Sequence, residues 1–162
     1  MQRVLPGSTG DVIVFDDTHF PVIIATWFGR ASEASVRAYY AALGEQLARA
    51  LADRLVLVNV VDTGPAEVPP ADVRRLIDEL NAEWERKGAT DETVRAIVVI
   101  ESSAIRGVLQ VLGWLHARGL RTVNVSDVAT AMRTANDTLL GLGHAPPLGL
   151  SRVHRPVRPQ AP

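Results

Sequence analysis

The chain has 162 residues, a formal net charge of −1, 47% apolar residues and no cysteine. That length suits one domain around one core, the balanced charge argues against a nucleic-acid partner, and the missing cysteine excludes disulfides, thiolate nucleophiles, iron–sulfur clusters and Cys-based zinc sites. The first ten residues, MQRVLPGSTG, lack the apolar centre of a signal peptide. No apolar run approaches the roughly 20 residues needed to cross a bilayer, so a cytoplasmic protein without a membrane span is expected.

Residues 1–10 read as an N-terminal extension. Val12 to Phe15 and Pro21 to Phe28 are rich in β-branched and aromatic residues, and the polar DDTH between them supplies a turn, which predicts an antiparallel hairpin. Ser32 then offers a helix N-cap, and Val36, Tyr40, Leu43, Leu47 and Leu51 recur at helical spacing along one stripe. Leu55 to Val61, LVLVNVV, is almost continuously apolar, as expected of a central strand covered on both faces. The next helix opens near Pro69-Pro70-Ala71-Asp72, where proline and an acid both suit a first turn. It carries Val73, Leu76, Ile77, Leu80 and Trp84 inward and closes at Arg86-Lys87-Gly88.

Thr93 to Ile100 predicts a further strand, followed by a helix from Ser102 or Ser103 with Ile105, Val108, Leu109, Leu112 and Leu115 on one face. Val111 and Trp114 on another face imply burial on two sides, by this chain or by a second copy in a homodimer. Arg121 to Val125 is a short strand, and Ser126 or Asp127 caps a last helix with Val128, Met132, Ala135 and Leu139 inward. Residues 141–162 hold five of the ten prolines and no acid, a composition that predicts a mobile tail. The folded part, residues 11–140, therefore runs ββαβαβαβα. Right-handed crossovers then give an α/β fold with a mixed, mostly parallel sheet and packed helices.

This order, the apolar strand ending in Asp62, the turn IESSAIR and the strand RTVNV feeding the helix VATAMRTANDTLL together resemble the SpoIIAA-like group of STAS domains, also described as STAS/SEC14-like proteins. The resemblance covers about Asp11 to Leu140. It implies a small bacterial binding or regulatory module, non-enzymatic in this reading; the alternative is a small ligand carrier or enzyme acting at the strand-end rim, and no cofactor is assigned. In partner-switching members, the strand matching Leu55 to Val61 is followed by an Asp-Ser pair at a helix start, where phosphorylation of the serine controls partner binding. This sequence reads DTGPAEVPPADV there. Thr63 holds the region's hydroxyl, ahead of the loop, so the serine switch is not expected, and a turn role for Thr63 is the simpler reading.

In an open parallel sheet, ligands gather beyond the carboxyl ends of the strands. Those ends carry Asp62 and Thr63, then Glu101, Ser102 and Ser103, then Asn124, with Arg106 in the first turn of a helix. They form the candidate ligand-binding rim, for a protein partner or a small anionic or apolar ligand. The competing reading makes the serines ordinary caps and pairs Arg106 with Glu101. Asp62 and Glu101 lack the spacing of an acid/base pair, and the four histidines show no metal-binding motif, so neither a catalytic residue nor a metal ligand is assigned. Arg152, Arg155 and Arg158 make the tail locally basic.

Overall fold

The computed structural model describes residues 1–8, 10–103, 105–107 and 122–159. The most apolar runs of the sequence form the middle of one sheet: β3 (Val22–Arg30), β4 (Leu57–Asp62) and β6 (Val94–Val99). These pair in parallel with one another, and β7 (Thr122–Val125) extends the parallel set beyond β6. On the other side β2 (Val12–Asp16) pairs antiparallel with β3, and β1 (Gln2–Pro6) pairs antiparallel with β2. The order across the sheet is β1-β2-β3-β4-β6-β7, and a two-residue strand, β5 (Ala66–Glu67), adds to the end of β3. Every residue of β4 is buried, as its run of valines and leucines requires of a strand covered on both sides.

Alternate residues of the strands feed two cores. On one face Ile23, Leu57, Val61 and Val98 pack against α1 (Glu33–Ala52) and α2 (Ala71–Arg86) through Val36, Leu43, Leu47 and Ile77. On the other, Ile24, Val58, Val60, Ile97 and Val99 meet Ala131, Met132, Ala135 and Leu139 of α3 (Val128–Gly141). Asn59 is a polar position on the α1–α2 face. Its Nδ2 donates to the Tyr39 hydroxyl at 2.8 Å, while its Oδ1 has no partner among the described residues. Burial pushes the Tyr39 phenol well above its ordinary titration range, and the bond from Asn59 offsets this only in part.

The helix ends follow the sequence signals. Ser32 caps α1 in a reciprocal box with Ser35. Asp127 caps α3 by accepting from the Thr130 amide. Gly88, just past the C-cap of α2, has φ +103°, the left-handed geometry for which glycine is suited.

Three expectations need correction. Residues 2–6 are not an extension but the edge strand β1, ordered by pairing with β2. The buried stripe of α1 is Val36, Tyr39, Leu43, Leu47 and Ala50, so Tyr40 lies at its border and Leu51 is 42% exposed. The chain beyond Gly141 does not trail away. Leu150, in the 3-10 turn η1 (Leu150–Arg152), is buried in the α3-side core, and the following residues lie along the strand ends. Most of the expected helix after Ser103, with Val108 to Leu115 and its two-sided apolar surface, lies outside the described residues.

Candidate functional site

The carboxyl ends of β3, β4 and β6 lie side by side, because Thr26, Asp62 and Val99 are in register across three parallel strands. Register also fixes direction, since side chains of aligned residues in neighbouring strands share a face. Asp62 therefore points to the α3 face, with Val99 and Val125. Asn124 is in register with Val98, so it points to the opposite, α1–α2 face and is exposed there. It shares the sheet's end with Asp62 without converging on it.

Asp62 is 1% exposed, and both its oxygens are engaged. Oδ1 accepts from the Gly64 amide at 3.0 Å, closing the turn after β4, and from Arg155 Nη2 at 2.8 Å. Oδ2 accepts from Arg155 Nε at 2.6 Å. The same guanidinium reaches Glu101, with Nη2 to Oε1 at 2.6 Å and Nη1 to Oε2 at 3.3 Å. One arginine thus makes fork-to-fork contacts with two carboxylates from neighbouring strand ends, the geometry that favours Arg over Lys. Asp62 first and Glu101 second hold the Arg155 guanidinium protonated even more firmly than usual. Two carboxylates against one cation leave the seat with a residual negative charge.

The shape of the seat is as specific as its charge. A Cβ on Gly64 would clash with Arg155 Nη2 and stand 2.6 Å from its Cζ, so the guanidinium occupies the space that a side chain at position 64 would fill. Farther along the rim, Arg158 Nη2 donates to the Gly10 carbonyl at 2.8 Å and passes 3.5 Å from where a Gly29 Cβ would be. Beyond Arg158 opens a cleft of about 580 Å³ between the N-terminal ends of α1 and α2.

The remaining rim residues do structural work. Thr63 is buried, and its hydroxyl donates to the Val99 carbonyl at 2.6 Å, joining the end of β4 to β6. Ser102 caps the turn that follows β6, its carbonyl accepting from the Arg106 amide at 3.0 Å. Ser103 and Arg106 are exposed. Contrary to the capping reading, which paired them, Arg106 does not pair with Glu101. It reaches the Ile100 carbonyl at 3.5 Å, while Arg155 occupies the carboxylate. Arg155 was absent from the residues expected at the site. Its signal was a row of arginines in an acid-free segment, facing two acids at strand ends.

Among the described residues, no helix is long and apolar enough to cross a membrane. No family model and no curated protein matches the sequence. Among solved structures, the anti-sigma factor antagonist SpoIIAA in its unphosphorylated form is similar, with a TM-score of 0.50 at 12% identity over 80% of this chain and 98% of that one. The α/β layering, the mostly parallel sheet and this likeness agree: the chain has the STAS fold of SpoIIAA.

Proposed function

We propose that the protein is a non-enzymatic, STAS-like regulatory module that recognises a protein partner at the strand-end rim, without a phosphoserine switch. The observation that carries this reading is the Asp62–Arg155–Glu101 triad, in which the rim engages a peptide segment of the chain itself through side chains. The seat made by Asp62 and Glu101 suits recognition of a cationic group better than of a small anion, because two carboxylates there face one arginine. Chemistry there lacks the usual parts. The hydroxyl of Thr63 is bound to a backbone carbonyl, and both carboxylates, the buried Asp62 and the exposed Glu101, are tied to one fixed cation. Thr63 is a poor substitute acceptor, since a phosphate on its buried hydroxyl would break the bond to Val99 and place a dianion next to Asp62.

The test is site-specific photocrosslinking in cells of the source organism, with a photoreactive residue at exposed Ser103 on the rim or at exposed Ala52 at the opposite end of the sheet. A discrete protein adduct from position 103 and none from position 52 is the expected result. Equal adducts from both positions, or none from position 103, would overturn the reading.

A further inference from the structure

After Leu150 anchors η1 in the α3-side core, residues 154–159 make no backbone–backbone hydrogen bond among the described residues. The segment nevertheless has a defined shape. Val153 has φ −69° and ψ 130°, close to polyproline II, and Pro156 and Pro159 each fix φ near the same value. A polyproline II helix has three residues per turn and rises about 3.1 Å per residue, so Arg155 and Arg158 fall on one side, about 9 Å apart. The rim has a matching interval. Arg155 sits between the ends of β4 and β6, and Arg158 lies beside Gly29 of β3 and Gly10 just before β2. That is two strand spacings away, or roughly 9.6 Å. Arg158 contributes one carbonyl contact and Arg155 the whole ionic contact, while Val157 between them is 90% exposed.

We propose that Asp62, Glu101 and the Gly64 turn form a seat for an arginine of an extended, proline-stiffened partner segment with a second arginine three residues on, and that residues 154–158 are its resident competitor. Three features support a partner of this chemistry. The seat is acidic by one charge beyond what Arg155 neutralises. Its glycine floor admits a planar guanidinium. The cis segment shows that an Arg-Pro-x-Arg sequence has the right spacing. Past Val153 that segment is held mainly by two side chains, so it can leave without disturbing the α3-side core. Because it is tethered, it competes at an effective concentration on the order of millimolar, so a free segment gains access mainly when the tether's arginine is weakened or outmatched.

The inference rests on the rim being the partner surface, and its test is independent of the crosslinking experiment. A fluorescent peptide of residues 151–162, SRVHRPVRPQAP, is titrated into the full-length chain, wild type or Arg155→Ala, with anisotropy as the readout. Binding at least tenfold tighter to Arg155→Ala than to wild type is expected. The gain should be lost when Asp62→Asn is added, or when the peptide carries lysine in place of its first Pro-flanked arginine. If the Asp62→Asn chain does not fold, Glu101→Gln at the surface replaces it. Equal binding to wild type and Arg155→Ala, or no binding to Arg155→Ala at millimolar peptide, would overturn the proposal. So would a wild-type dimer by light scattering that Arg155→Ala abolishes, since the tail of a second copy would then be the occupant. A peptide that fails to bind while position 103 still crosslinks removes the seat and leaves the partner surface standing.

Discussion

Replacing Arg155 by alanine isolates the energetic role of the triad. Among the described residues, the change removes the one cation paired with Asp62, a carboxylate 1% exposed, and leaves it with the Gly64 amide. Breaking a fully buried ion pair costs about 3–5 kcal/mol, whereas exposed pairs are worth about 0–1 kcal/mol. This triad lies between these limits, because Arg155 is 30% and Glu101 42% exposed, and water can enter where the guanidinium stood. The expected loss is therefore about 1–2 kcal/mol, a fall in melting temperature of about 2–8 °C for a chain of this size. Urea unfolding followed by circular dichroism should show a lower midpoint with an unchanged slope. Adding Asp62→Asn to Arg155→Ala should recover part of the loss, with a coupling of about 1 kcal/mol in the double-mutant cycle. If Arg155→Ala unfolds at the wild-type midpoint and the cycle shows no coupling, the triad is an ordinary surface contact and the seat is not a specific feature.

Thr63→Val keeps the shape of the side chain but leaves the Val99 carbonyl without its 2.6 Å hydroxyl donor; a loss of about 1 kcal/mol in urea unfolding is expected. Tyr39→Phe strands the buried Asn59 amide and should cost about 1–3 kcal/mol, while adding Asn59→Leu should restore most of the loss, because a pair of apolar groups leaves nothing unsatisfied. The Asp127 carboxyl is held below the ordinary carboxylate range by the Thr130 amide first, then by the Ser126 and Thr130 hydroxyls. A depressed folded value means its contribution is full above the unfolded value near 3.9 and fades as pH falls through the folded one. Asp127→Asn should therefore be less stable than wild type at pH 7, with the difference beginning to shrink only below about pH 4 in parallel thermal melts.

Much of the fold was legible because its signals are local. The continuous apolar run of β4 announced two covered faces, and the spacing of Val73, Leu76, Ile77 and Trp84 placed the inner face of α2. Helix α1 was read one position out at two sites, since Tyr40 and Leu51 fit a helical period as well as the buried Tyr39 and Ala50 do. What was missed depends on partners distant in sequence. The segment QRVLP becomes a strand only because β2 offers it an edge. The tail becomes ordered because Leu150 fills a gap beside α3, and because Arg155 finds acids 93 and 54 residues away. Composition reports whether a segment can build its own core, and it is silent on whether another core has room for it. For the same reason the rim's acids were identified and their cation was not. Asn124 lies at the same end of the sheet as Asp62 but faces away from it, because the pleat of β7 relative to β6 is set by register, which strand order alone does not specify.

The bare α-carbon at position 64 has a consequence of its own. Its backbone lies outside the left-handed region, so alanine is conformationally allowed there, and the atom it would strike belongs to the tip of a long, flexible side chain. Gly64→Ala should consequently leave the scaffold intact, keep both acids and every arginine, and yet turn the tail out of its berth. One methyl group would thus convert a self-capped molecule into an uncapped one that still rejects arginine from any source, which makes that carbon the gatekeeper of the whole rim.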